Sequence, residues 1–299
     1  MRRFLLLPHI KIHNANAMSS PYAIGFPAMT AWLGAVHALQ RHLHQQGLVD
    51  VQLASVAVSS HQFDLQTYKG TSDFVHSIVG TANPLDKDGS RPAFIEEARC
   101  HLEVSLLIEY HGLDSDDLEK LQNLVNTQCQ RMKFAGGDVL AVKPSETLAI
   151  DEDNDQDIKK VLAKLMLGHV LIERRDLMIE TMQQEGKDAL DALLDHLKVM
   201  HRANQDDIGN VTWTTGRKTP GWLVPIATGF QGISDLGIAK NQRDTETPHR
   251  FAESVVTLGE FIMPYRIKNL DDMLWQYRVV AEQNLYLCQT LSTTSSLGE

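Results

Sequence analysis

The stretch His101-Leu-Glu-Val-Ser-Leu-Leu-Ile-Glu-Tyr110 puts Leu102, Val104, Leu106, Ile108 and Tyr110 on one side of an extended chain. His101, Glu103, Ser105, Leu107 and Glu109 fall on the other. Side chains of a strand alternate with a period of two, so this run reads as a half-buried strand. Downstream, Asp114 or Ser115 stands where a helix cap belongs, acids fill the first turn, and Leu118, Leu121, Val125 and Met132 form one face. Gly136-Gly137 ends that helix and opens a short strand through Val142.

Upstream, Phe4 to Ile12 reads as a strand, with Pro8 marking a bulge or an edge. Ala31 to Gln45 carries Trp32, Val36, Leu39 and Leu43 on one helical stripe, and Val51 to Val58 reads as a two-sided strand. The order is βαββαβ, which predicts an α+β protein with a ferredoxin-like core over residues 1–145. An insertion over 62–100 separates the second and third strands, and a connection that long is expected to be a functional arm.

Ser145 to Asp157 is polar, acidic and without periodicity, and reads as the boundary to a mixed α/β region over 146–299. In that region Ile158 to Met166 and Leu190 to Met200 predict amphipathic helices, and 204–220 a loop. Trp222 to Ala227 predicts a strand, Ala252 to Phe261 and Leu270 to Tyr277 predict helices, and Leu291 to Glu299 a frayed tail.

Composition bounds the function. The chain has 299 residues, 43% hydrophobic and 22% charged, enough for one large domain or two smaller ones with real cores. No apolar run has a membrane span's length, and the Phe4–Leu7 run lacks a cleavage site, so neither a span nor a secretory signal is expected. Three scattered cysteines, Cys100, Cys129 and Cys288, fit no disulfide framework or four-cysteine zinc site, and a reducing cytoplasm is the expected compartment. The net charge of −10 argues against nonspecific nucleic-acid binding. Between Thr212 and Arg250, however, five basic residues stand against three acidic ones, which leaves room for a local basic surface.

Most catalytic and metal signatures fail. Asp151, Asp153 and Asp155 imitate a calcium loop, but Gln156 stands where the turn needs glycine and Leu162 where a bidentate glutamate belongs. A solvated linker with a helix cap is the better reading. Thirteen histidines include no HExxH pair, and the chain has no GxSxG, phosphate-binding loop or dinucleotide fingerprint. More informative is Asn14-Ala-Asn16-Ala-Met-Ser19-Ser20-Pro-Tyr22 with Gly25-Phe-Pro27, dense in short amides and hydroxyls that suit phosphates, sugars and base edges. An ordinary turn explains it equally well. Lys133-Phe-Ala-Gly136-Gly137 sets two glycines beside a cation, as a close backbone approach or simply a helix cap would require. Asn83-Pro-Leu-Asp-Lys87-Asp-Gly-Ser90-Arg91 reads as a turn on the arm. Glu103 and Glu109 on the open face of the third strand argue against base stacking there, so loops and the arm are where RNA would be held.

Taken in order, these segments resemble one family, the second Csy protein, a Cas-five-type subunit of the type I-F CRISPR surveillance complex. The resemblance is carried by Leu5-Leu-Leu-Pro8, Asn14-Ala-Asn-Ala17, Gly25-Phe-Pro27, Val36-His-Ala-Leu-Gln-Arg41, Asn83-Pro-Leu85 and His101-Leu-Glu-Val-Ser-Leu-Leu107. Ala135-Gly-Gly137, Pro220-Gly-Trp-Leu-Val-Pro225, Glu246-Thr-Pro248, Arg250-Phe251 and Leu258-Gly-Glu260 continue it, while 144–215 matches poorly.

The resemblance implies a noncatalytic RNA-binding subunit without a cofactor. Its partners would be the 5′ handle of the CRISPR RNA, the large subunit, the adjacent backbone subunit and, through the assembled complex, target DNA read by base pairing. The handle cradle would be Asn14, Asn16, Ser19, Ser20, Lys133, Gly136 and Gly137, with Arg91, Arg99 and His101 on the arm or at its base. Arg243 and Arg250 would add basic contacts or pair with Asp244, Glu246 or Glu253. The arm would touch the backbone subunit and displace a nucleotide at the end of the handle. The main alternative is a metal-independent endoribonuclease using His9, His13, His37 or His61; a pure protein adaptor is the third.

Overall fold

In the structure, a computed structural model, residues 1–81, 85, 87–90, 97–240, 242 and 244–292 are described. The first βαββ stretch is β1 (Arg2–Asn16), α1 (Met29–Gln45), β2 (Gln52–Leu65) and β3 (Glu97–His111). It continues with α2 (Leu118–Cys129), β4 (Lys133–Phe134), β5 (Gly137–Ala141) and β6 (Glu146–Ile150). Then come α3 (Asp155–Lys164), β7 (His169–Glu173), α4 (Arg175–Glu185), α5 (Ala189–Leu197), β8 (Met200–Gln205) and β9 (Val211–Gly216). The last strands are β10 (Trp222–Gly232), β11 (Ala252–Ile262), β12 (Trp275–Val280) and β13 (Leu285–Thr290).

The result is a mixed α+β protein organised on one large antiparallel sheet. From β2 inward the neighbours run β2–β3–β1–β5, and β6 lies beside the first half of β1. Leu102, Val104, Leu106 and Ile108 turn one face of β3 toward Met29, Trp32, Val36, Leu39 and Leu43 of α1, as the alternation and the helical stripe require. Pro8, which has no N–H for a ladder, sits beside a shift in the β1–β3 register between Leu7 and Ile10.

Residues on both sides of the expected boundary near 145 enter this sheet. β6 pairs with β1, while β12 and β7 pair with the outer edge of β2 at Val56 and at Ser59–Ser60. Because β7 also pairs with β11, the path β2–β12–β13–β10–β11–β7 returns to β2 and closes a ring, which covers the middle of that side of β2. The helix-side core accordingly includes Leu171, Ile226, Phe261 and Trp275. On the opposite face Phe4, Leu6, Ala57 and Leu107 pack with Val161, Leu162, Leu165, Leu270 and Met273.

Several expectations for the second half are corrected. Ala252–Ile262 is a strand: Val255, Val256 and Thr257 favour an extended chain, and pairing with both β10 and β7 outweighs the helical spacing of the apolar residues. Leu270–Asp272 is a short 3-10 turn capped by Asn269, and Trp275–Val280 is a strand. The expected loop at 204–220 contains most of a β8–β9 ribbon, all of β9 and the end of β8. Glu109, expected on an open face, is buried because α3 and the 264–274 turns cover that end of the sheet. Among the described residues no helix is long and apolar enough to cross a membrane.

Candidate nucleic-acid interface

Two left-handed residues shape the strand that leads to the site. His9 (φ 53°) and Asn14 (φ 60°) lie where the β1–β3 register shifts, and Asn tolerates that conformation well among non-glycine residues. The Asn14 N–H donates to His101 Nδ1 at 3.2 Å, and its Oδ1 accepts from Gln66 Nε2 at 3.0 Å. The second bulge brings Asn16 to the end of β1, opposite Arg99 of β3, where its N–H donates to the Ala135 carbonyl at 2.9 Å.

The polar loop after β1 is in large part an ordinary turn. Asn16 Oδ1 accepts from the Met18 N–H at 2.7 Å, Ser20 Oγ accepts from the Tyr22 N–H at 3.1 Å, and Ser19 Oγ donates to the Ala23 carbonyl at 3.3 Å. Ser20 is buried, which confines it to that turn.

The two glycines do different jobs. Phe134 and Gly137 face each other across a two-residue hairpin loop in which Ala135 (φ 48°) and Gly136 (φ 77°) are both left-handed. That is the twist-matched turn joining antiparallel strands, not the expected helix cap. A Cβ on Gly137 would lie 2.8 Å from the His13 carbonyl oxygen and 2.9 Å from Ala15 Cα, so this glycine lets β5 approach β1. A Cβ on Gly136 would meet only Arg99 Nη1, at 4.0 Å, so this position opens outward.

These pieces surround one groove of about 520 Å3, lined by Asn16, Ser19, Ala28, Thr30, Arg99, Lys133 and Gly136 among others. Gly34, Ala35 and Ala38 of α1 give it a wall of small side chains. The helix begins at Ala28 with no side-chain cap and no acid in its first turn, so the positive end of its dipole lies at the groove, whose lining also includes Glu97. Arg99 holds Glu97 at 2.7 Å, while its Nε is buried without a hydrogen-bond partner among the described residues. Lys133 is ion-paired with Asp138, both exposed. A cation, an open helix terminus and close-approach backbone are the chemistry that suits an anionic group such as a phosphate.

Of the residues expected from sequence, Asn16, Ser19, Arg99, Lys133 and Gly136 meet here. Asn14, Ser20, Gly137 and His101 act on the shape of the strands and turns behind them. Arg250 donates to Asn284 Oδ1 and lines a separate pocket with Lys240, His249 and Phe251. Arg91 and Arg243 lie outside the described residues. Sequence reading missed the α1 terminus; the signal was Pro27-Ala28-Met29-Thr30, a helix start lacking a Ser, Asp or Asn cap and any acid.

The histidines form two stacks beside this site. His9 and His61 lie 4.3 Å apart between ring centroids, and His13 and His101 4.5 Å apart. His9 Nδ1 meets Glu103 at 2.7 Å, and His61 Nε2 meets Ser105 Oγ at 2.7 Å. Burial, then the nearby His9 charge, lowers the His61 pKa to about 4. Ser105 is fully buried, so this Ser–His contact presents no nucleophile to solvent. His37 is exposed on α1, apart from both stacks. Among the described residues no cluster of His, Cys, Asp or Glu could hold a metal ion.

Fold and site thus define an α+β protein, built on a mostly antiparallel sheet, with an anion-suited groove at an uncapped helix start. The family described as CRISPR-associated protein (Cas_Csy2) matches residues 5–288, and the chain belongs to it. The chain is also similar to CRISPR-associated protein Csy2 of Pseudomonas aeruginosa strain UCBPP-PA14, 35% identical over 312 aligned positions that span 96% of this chain and 94% of that protein.

Proposed function

We propose that the chain is a noncatalytic RNA-holding subunit of a type I-F CRISPR surveillance complex, gripping the repeat-derived 5′ handle of the CRISPR RNA in the α1 groove. The observation that carries this reading is the convergence of Asn16, Ser19, Arg99, Lys133 and Gly136 on one small-walled groove at an uncapped helix terminus. Such a groove takes a few phosphates in fixed register, which is what a constant RNA end requires, and it needs no strongly basic surface. A chain of net charge −10 fits that economy.

The strand order β2–β3–β1–β5, all antiparallel, supports reading residues 1–145 as a ferredoxin-like core, with 146–299 completing it. The large subunit and the adjacent backbone subunit are the partners, the latter through the arm, and target DNA is met only in the assembled cytoplasmic complex. The arm's exposed Tyr68, Phe74, Val75 and Ile78 support a docking role.

Filter binding of handle RNA to the chain co-expressed with the large subunit, against a scrambled RNA of equal length, tests the proposal. Handle-specific binding that weakens in Arg99→Ala is expected. Equal binding of both RNAs overturns it, and a cleavage product in the same incubation would favour a histidine-dependent endoribonuclease.

A further inference from the structure

The basic stretch noted in the sequence begins in the β8–β9 ribbon, which the α1 groove does not use. Six residue pairs, Met200↔Gly216 to Gln205↔Val211, form a regular two-stranded ribbon. Every residue in it except half-buried Met200 is exposed. A lone ribbon that buries neither face is only marginally stable in water. This one nevertheless displays Trp213 at 70% exposure and Val211 at 53%.

Its root is cationic. Lys187 and Lys198 pair with Asp195, and Lys218 pairs with Glu185 and Asp195, so the carboxylates there are already neutralised. Arg202 and Arg217 form no ion pair among the described residues. They line a cavity of about 460 Å3 with Lys198, Lys218, Thr214 and Thr215. Neither strand carries an acid, and Asn204, Gln205 and Thr212 are uncharged, with His201 beside them. The ribbon's own acids, Asp206 and Asp207, are both at its tip, away from the root, and Asp206 is occupied by the Ile208 and Asn210 N–H groups and the Asn210 amide.

We propose that the ribbon and the cavity at its root form a contact for single-stranded nucleic acid, separate from the α1 groove. Arg202 and Arg217 take phosphates and Trp213 stacks a base. Cations tracking a backbone beside an exposed aromatic are the elements of single-strand binding. Trp213 pairs in register with Ala203, next to Arg202, so a strand held at Arg202 reaches the indole around one edge of the ribbon. A duplex has its base faces stacked away and gives the indole nothing to cover. A protein partner is less suited, because Trp213 and Val211 share their face with His201, Gln205 and Thr215 instead of a continuous apolar patch.

The test is fluorescence anisotropy of labelled oligothymidylate with the full chain, carried out in an Arg99→Ala background to silence the α1 groove. Trp213, Arg202 and Arg217 are exposed, Arg99 is half-buried, and circular dichroism verifies folding of each variant. Trp213→Ala is expected to weaken binding by about 5- to 150-fold, with Trp213→Phe retaining most of it. Arg202→Ala with Arg217→Ala is expected to lower the salt slope by about 1.4. Unchanged affinity in these variants overturns the proposal. So does equally tight binding of a blunt duplex, or no oligonucleotide binding by a chain whose ribbon is shielded from protease only by a protein partner.

Discussion

The Arg2 guanidinium grips the Glu109 carboxylate through two hydrogen bonds, Nε at 2.7 Å and Nη2 at 2.8 Å, joining the first residues of β1 to the far end of β3. Ser55 Oγ adds a third bond to Glu109 at 2.9 Å, and Arg2 Nη1 reaches Glu152 and Asp271. One side chain thus ties the sheet to the segments that close over its end.

Burial opposes ionisation of Glu109, but the bonds and charge of Arg2, with Ser55, outweigh it and hold the carboxyl below its usual range. Its stabilising contribution is therefore complete above the unfolded carboxylate range and is lost as pH falls through the lower folded value. Glu109→Gln is expected to cost about 1–3 kcal/mol at pH 7, because Arg2 loses its two bonds to a charged carboxylate while keeping Glu152 and Asp271. Urea melts at pH 7 and pH 3 check this: the gap between parent and variant should close at the lower pH.

His61 carries the opposite kind of pH dependence. Its folded pKa of about 4 lies below the ordinary value of 6.5, with His9, Glu103 and Lys143 as the facing groups. The unfolded chain takes up a proton that the folded one refuses, so stability falls as pH drops from 6.5 toward 4. About 1–2 kcal/mol is expected once solvent screening of a half-buried ring is allowed for. His61→Gln should flatten the denaturation midpoint between pH 7 and pH 5; an unchanged slope would place the titration elsewhere.

The neighbouring glycines should separate cleanly. Gly137→Ala forces a methyl against the β1 backbone and is expected to cost about 1–3 kcal/mol. Gly136→Asn keeps a residue that tolerates the left-handed region and is expected to leave the melting midpoint nearly unchanged while narrowing the groove before Arg99. Thermal melts combined with handle-RNA binding distinguish the two.

Arg99→Ala and Lys133→Ala should each lower RNA affinity across sequences and reduce the salt slope by about 0.7 for each phosphate no longer neutralised. Both cations are ion-paired, Arg99 with Glu97 and Lys133 with Asp138, but Arg99→Ala is expected to be the larger because Arg99 is half-buried in the groove and Lys133 is exposed. A salt series on each variant measures both.

Trp275 donates from Nε1 to the Leu171 carbonyl at 2.9 Å in the shared core. Trp275→Phe is expected to cost about 1–3 kcal/mol by leaving that carbonyl unsatisfied. It should shift one cooperative urea transition seen by both near- and far-ultraviolet circular dichroism. Two transitions, with only one of them moved, would show that the regions on either side of 145 unfold separately.

Sequence alone determined the first half well, because there the decisive interactions are local. The period-two pattern of residues 101–110, the helical stripe from Trp32 to Leu43, and Pro8 beside a bulge are properties of the chain's own repeat. The same pattern reading failed at 252–261 and 270–277, where the apolar residues satisfy both periods and the choice belongs to the strands they meet. Site residues divided along the same line. Asn16, Ser19, Arg99, Lys133 and Gly136 were legible as polar, cationic or flexible types, yet nothing in their spacing separates them from Ser20 and Gly137, which serve a turn and a close strand approach. That separation depends on which side chains point into a shared cavity. The two bulges, the turn at Ala135–Gly136 and the uncapped start of α1 decided it, and only the packed sheet brings those to one place.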